Sequence, residues 1–255
     1  MREAGSEARE ENAGENASSW KRVAIVQSNY IPWKGYFDMI AAVDEFILYD
    51  DVQYTRRDWR NRNKIKTASG VQWLTIPVEV KGKYTQRVRD VVVSEPAWAR
   101  THWRTLLHQY AAAPHFRELK DSVGGWYEAV ADMKFLTDVN EYFLRAICAL
   151  LEIGTTIKRS SDYELVEGRS ERLLDLCRQA GANTYLSGPA ARAYLDEKMF
   201  EDAGIAVRWM DYDGYPEYPQ LHPPFEHGVT VLDLLFNTGA AARTFMKIGT
   251  THARA

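Results

Sequence analysis

Cysteine is nearly absent from this chain of 255 residues. Cys148 and Cys177 stand far apart with no CxxC spacing, which excludes a disulfide framework and gives no thiolate zinc site. Two buried thiols are expected instead. Long apolar runs are also missing. None approaches the roughly 20 residues that a membrane-spanning helix needs, and the polar first twenty residues lack the apolar core of a signal peptide. These absences imply a cytoplasmic protein with no membrane insertion. Net charge is low, at −3 with an isoelectric point near 6.1, which argues against a general nucleic-acid binder. Neither a Walker loop nor a GxGxxG fingerprint is present. Ser187-Gly188 does not form a GxSxG elbow, which weakens a serine-hydrolase reading.

What is present is unevenly placed. Residues 1–20 carry five glutamates against Arg2 and Arg9, so the whole −3 lies there and the remainder is balanced. From Tyr54 to Arg89, ten bases face only Asp58 and Glu79, a local excess of +8. Residues 1–19 show no apolar periodicity and read as a disordered acidic tail. One domain is expected over 20–247, with a helical insertion at 96–153 and a flexible tail at 248–255.

The pattern from Val23 is that of an α/β protein with a mainly parallel open sheet and flanking helices. Val23-Ala24-Ile25-Val26 is a short run of the kind buried on both faces. A loop with Pro32 and Gly35 follows, then apolar residues at helical spacing, then a strand from Glu45 to Tyr49. In such a βαβ unit the first loop lies at the carboxyl edge, where open α/β sheets bind ligands. Further strands are predicted at Val71–Val78, Arg87–Val93, Thr155–Ile157, Thr184–Leu186 and Ile205–Met210. Pro96 begins a stretch of about three helices, broken near Pro114 and at Gly124-Gly125. Helices are also expected at Ser170–Ala180, at 190–203 and at Val231–Phe236, and Tyr212–Pro224 reads as irregular.

Five groups of residues carry candidate chemistry. The loop Gln27 to Tyr36, with Asn29, Tyr30 and Lys34, has the amides and the glycine of a small-molecule pocket. Ser187-Gly188, Tyr194, Tyr218 and Gln220 are candidates for its far side. Asp50 and Asp51 close the second strand as candidate general bases or magnesium ligands; on an extended strand only one of them faces the pocket. His102 is a further candidate acid or base, and His222 and His227 flank a Pro-Pro turn without metal-ligand spacing. The run Arg56-Arg57-Asp58-Trp59-Arg60-Asn61-Arg62-Asn63-Lys64, with Lys66 beyond, places cations close enough to repel unless an anion sits among them. Arg57, Arg60, Arg62, Asn63 and Lys64 are the candidate phosphate ligands. No cofactor is specified by these residues.

With these motifs in place, the chain resembles the WbqC-like family from about Val23 to Gly239. The likeness rests on Gln27 to Tyr36, Arg60-Asn61-Arg62-Asn63, Trp73-Leu74-Thr75-Ile76-Pro77, Ser160-Ser161, Tyr185-Leu186-Ser187-Gly188 with Tyr194-Leu195, Tyr218-Pro219-Gln220 and Asp233-Leu234-Leu235-Phe236-Asn237-Thr238-Gly239. That resemblance implies a bacterial protein associated with O-antigen, other surface-polysaccharide or specialised-metabolite gene clusters. The leading expectation is a transferase acting on an anionic small-molecule or carrier-linked precursor. A more distant likeness to nucleotidylyltransferases suggests an adenylate-forming ligase, although Lys34-Gly35-Tyr36 stands where that class has its histidine pair. An RNA-binding or carrier-binding protein using the same basic segment is the third reading.

Overall fold

The computed structural model describes residues 20–248; the tail expected at 1–19 lies outside the described residues, as does the one expected at 248–255 apart from Ile248, which is buried. Five parallel strands form an open sheet in the order β5-β2-β1-β6-β7. They are β1 (Arg22–Val26), β2 (Glu45–Leu48), β5 (Thr156–Arg159), β6 (Thr184–Ser187) and β7 (Ala206–Trp209). A separate antiparallel hairpin joins β3 (Arg62–Thr67) to β4 (Gly70–Thr75). Seven helices flank these strands: α1 (Lys34–Ala41), α2 (Trp98–Tyr110), α3 (Phe116–Ala129), α4 (Leu136–Leu150), α5 (Ser170–Gln179), α6 (Glu197–Asp202) and α7 (Val231–Thr238).

The central strand explains the layering. Side chains alternate across a strand, so Ala24 turns to one face, into a core shared with α1, α2, α3, α4 and α7. Val23 and Ile25 turn to the other and pack with Leu173, Leu176 and Cys177 of α5 and Phe200 of α6. β2 repeats the division, with Phe46 and Leu48 on the first face and Ile47 on the second. Burial on both faces is why these strands are short apolar runs rather than alternating ones. Right-handed crossovers that proceed in opposite directions from β1 place their helices on opposite faces. The strand order therefore reverses between β1 and β6, and the loops that leave those two strands flank the switch point.

Several sequence expectations are corrected. Arg87–Val93 is not a strand: it contains a 3₁₀ turn at Val88–Asp90, because Val88 N and Arg89 N donate to Val52 O and Asp50 O and wrap the segment around that turn. Gly124-Gly125 does not break α3. A Cβ at Gly124 would lie 3.1 Å from the Trp103 indole, so the glycine allows α2 and α3 to approach. The helix expected over 190–203 is a 3₁₀ turn at Pro189–Ala193 followed by α6, which Asp196 restarts by capping Met199 N. β3 was not foreseen, since its charged residues masked the alternation that buries Asn63 and Ile65. Pro114 does separate α2 from α3, and Gly181, at φ +68°, follows the end of α5 as expected.

Candidate functional site

The loop after β1 is held from every side. Gln27 O accepts from Tyr36 Oη at 2.8 Å and from Arg60 Nη1 at 3.4 Å. Ser28 N donates to Asp50 Oδ1 at 2.8 Å, and Ser28 Oγ accepts from Asn140 Nδ2 at 3.0 Å. Ile31 adopts φ +34°, a strained conformation for a β-branched residue. Asn63 Nδ2 holds it there by donating to both Tyr30 O and Ile31 O, at 3.1 and 2.9 Å. Thus Asn63 clamps the loop, and its carbonyl oxygen accepts from Lys64 N. Farther along, Val231 N donates to Pro32 O and Thr230 N to Lys64 O, which ties the segment before α7 to both loop and hairpin.

These ties enclose a cleft of about 300 Å³ lined by Asn29, Pro32, Trp33, Trp59, Asn63, His227 and Gly228. Its walls come from three separate stretches of sequence and are largely apolar, with a few polar groups, as in small-molecule sites. Asn29 Oδ1 accepts from Arg60 Nη1. Trp59 stands at the mouth in contact with Trp73, their ring centroids 5.2 Å apart. The sequence brought the first loop and the basic run into consideration separately, and here they share one cavity. His227 lines the cleft although it has no metal-ligand spacing in the sequence. Nothing local marks it: the backbone bonds of residues 230 and 231 carry it to the cleft.

The basic run divides into two groups. Arg56 donates to Val80 O, Arg60 is held by Asn29, Gln27 and Asp58, and the buried Lys66 donates to Pro224 O. Carbonyl oxygens and an aspartate therefore relieve much of the repulsion that suggested a bound anion. Arg62 donates through Nη2 to Arg57 O and, like Lys64, also lies over an aromatic ring. The guanidinium carbon of Arg62 is 4.1 Å from the Trp73 centroid, and Lys64 Nζ is 5.4 Å from Trp73 and 5.7 Å from Trp59. Arg57 is exposed, at φ +59°. Among the described residues no carboxylate pairs with Arg57, Arg62 or Lys64, so the rim keeps an uncompensated positive charge.

Asp50 and Asp51 do not line the cleft. Because β2 ends at Leu48, they sit in a turn rather than on an extended strand. Both consequently border a second cavity of about 240 Å³, with Arg89, Thr137, Arg159 and Ser160 in its wall. Burial raises the Asp50 carboxyl above its usual range, opposed by the bonds from Thr137 Oγ1 and Ser28 N. Asp51 meets Arg89 Nη1 at 2.6 Å and accepts from Ser160 Oγ at 2.8 Å.

The other candidates are placed as follows. His102 is buried, with Nε2 3.2 Å from Thr75 O and Nδ1 2.9 Å from Tyr30 Oη. A carbonyl only accepts, so Nε2 carries the proton and Nδ1 accepts from Tyr30, whose hydroxyl also meets Tyr127 Oη at 2.6 Å. Burial lowers the imidazole to about 4. Lys34 is buried beside the Tyr215 and Tyr218 rings and donates to Pro216 O; desolvation lowers its ammonium to about 8. Tyr218 Oη and Gln220 Nε2 donate to the buried Asp233 at 2.7 and 2.9 Å, and Tyr110 Oη joins them at 2.8 Å. Ser187 ends β6, the neighbour of β1, and Gly188 follows it; Ser187 Oγ is bonded to Tyr185 Oη. Tyr194 is 49% exposed against Arg169. None of these lines the cleft.

Among the described residues, no group of three or more His, Cys, Asp or Glu is arranged to hold a metal ion. No helix among them is long and apolar enough to cross a membrane. No solved structure matches the chain. A protein of Mycobacterium tuberculosis, described as the uncharacterized protein Rv1507c, is 53% identical over 229 residues, spanning 89% of this chain and 98% of that relative. The family model described as the WbqC-like protein family matches residues 27–245, from the loop after β1 to the turn beyond α7. The chain thus belongs to the WbqC-like protein family.

Proposed function

We propose that this protein is a biosynthetic transferase that holds a phosphate-bearing sugar or small-molecule precursor in the cleft beside β1. The observation that carries this reading is the junction of an apolar, tryptophan-lined cavity with a cationic rim that no carboxylate among the described residues neutralises. An apolar pocket favours a ring, whereas Arg62 and Lys64 favour the phosphate attached to it. His227 also lines the cleft, and we assign its imidazole the role of the base that takes a proton from the acceptor. Products destined for a surface polysaccharide or a specialised metabolite fit the family resemblance noted above.

Metabolites captured from a small-molecule extract on the purified protein and identified by mass spectrometry test this reading. A phosphate-bearing sugar or related precursor is expected on the wild type. Arg62→Ala/Lys64→Ala should lose it by at least tenfold while melting at nearly the same temperature, because both half-buried side chains are on the outward face of the hairpin and only the Arg62 bond to Arg57 O is given up. Capture of uncharged compounds only, or equal capture by the double variant, would refute it.

The exposed tryptophans and cations also favour RNA as a second reading. Salt separates the two: RNA affinity falls by orders of magnitude between 50 and 200 mM salt when roughly six or more phosphates are contacted. A ligand with one or two phosphates loses far less.

A further inference from the structure

Trp59 and Trp73 are 40% and 38% exposed. Leaving large aromatic surface in water forgoes stabilisation that the core offers the same side chain, and here two indoles do so in mutual contact. Their position follows from the hairpin. Trp73 pairs with Lys64 across β3 and β4, and the alternation that buries Ile65 and Leu74 turns both outward. Trp59 precedes the hairpin at the lip of the cleft, and Trp73 lies just outside it.

The cleft, at about 300 Å³, is at the lower limit for a small-molecule site and has room for about one ring system. Any larger ligand that enters it must continue outward past Trp59 towards Trp73. That outward path is where Arg62 and Lys64 rest on the indole faces. A guanidinium or ammonium bound to phosphate through charge-assisted hydrogen bonds is held more strongly than one on an exposed aromatic face. An arriving phosphate can therefore draw away Lys64, and Arg62 through the nitrogens that its bond to Arg57 O leaves over, and uncover the rings. Inside the cleft, the amide nitrogen of Asn29 has no partner among the described residues and remains a donor for a carbonyl on the entering ring, since Arg60 holds only the amide oxygen.

We infer that the ligand of this cleft is a nucleoside diphosphate, carried alone or joined to a sugar. The base enters against Trp59 and Trp33, the two phosphates take Arg62 and Lys64 from the indoles, and Trp73 supports the group beyond the phosphates. This deepens, and rests on, the reading of the cleft as a site for phosphate-bearing precursors. Base stacking on an indole tolerates any base, so the discriminating donor is Asn29.

Isothermal titration of the full chain with uridine, thymidine, guanosine, cytidine and adenosine diphosphates, with pyrophosphate and with glucose 1-phosphate, tests the inference. At least one nucleoside diphosphate is expected to bind tenfold or more tightly than pyrophosphate or glucose 1-phosphate. Trp59→Ala should weaken that nucleotide by roughly tenfold or more and leave pyrophosphate unchanged. Trp59→Phe should restore most of the loss, and melting curves of both variants should match the wild type. If glucose 1-phosphate or pyrophosphate binds as well as every nucleotide, or if Trp59→Ala binds the nucleotide as the wild type does, the stacking inference is overturned while the cleft remains a phosphate site. If nothing in the panel binds the wild type, the inference and the reading beneath it both fall.

Discussion

Acidification tests the buried network around Tyr30 and His102. In the folded protein the imidazole accepts from Tyr30 Oη and donates to Thr75 O, with its ring against Trp98. Burial holds it at about 4, below the ordinary 6.5. Between those values the unfolded chain binds a proton that the folded chain refuses. Stability from this group is therefore fully present above pH 6.5 and is lost as pH falls towards 4. A shift of 2.5 units corresponds to about 3 kcal/mol. Asp38, Asp50 and Asp233, whose carboxyls are all raised by burial, contribute in the opposite direction over acidic pH. They are common to wild type and variant, so a comparison cancels them. His102→Gln keeps a donor for Thr75 O and an acceptor for Tyr30 without a titrating group. Urea unfolding of both proteins from pH 7 to 4 should show the difference move by about 3 kcal/mol in favour of the variant. A difference that stays constant with pH would refute the placement of this histidine as a neutral, buried group.

Gly35→Ala should disturb the cleft without touching a ligand directly. Its Cβ would fall 2.4 Å from the Trp33 indole, so that cleft wall must move; a stability loss of about 1–3 kcal/mol and weaker precursor binding are expected in denaturation and titration. Asp233→Ala strands three donors, Tyr110, Tyr218 and Gln220. Chemical denaturation should show a loss of about 3 kcal/mol or more, with Asp233→Asn clearly milder because one acceptor remains. Gly239→Ala combines φ +54° with a Cβ 2.4 Å from the His115 ring, and its melting temperature should drop by several degrees, roughly 2–4 °C per kcal/mol for a domain of this size.

The sheet was readable from sequence because its strands carry their own signals. β1 and β2 are apolar on both faces, and the Pro32-containing loop between β1 and α1 has turn residues where the chain must reverse. β3 is hidden in the sequence because a strand that carries Arg62, Lys64 and Lys66 looks like a solvated charge run, although Lys66 is buried. In the site, the loop after β1 and the basic segment were legible as residue types, yet their roles were not. Asn63 clamps the strained Ile31, and Tyr218 and Gln220 hold Asp233. Those assignments depend on contacts between residues far apart in sequence, which composition and spacing do not encode. His227 reaches the cleft in the same way, through a segment that reads only as irregular.

The most direct test of the central claim is a crystal structure of the full chain with the captured phosphate-bearing precursor bound. Its ring is expected among Trp33, Trp59 and Asn29, with the phosphate at Arg62 and Lys64. A precursor seated instead in the cavity of Asp50, Asp51 and Arg159 would contradict it.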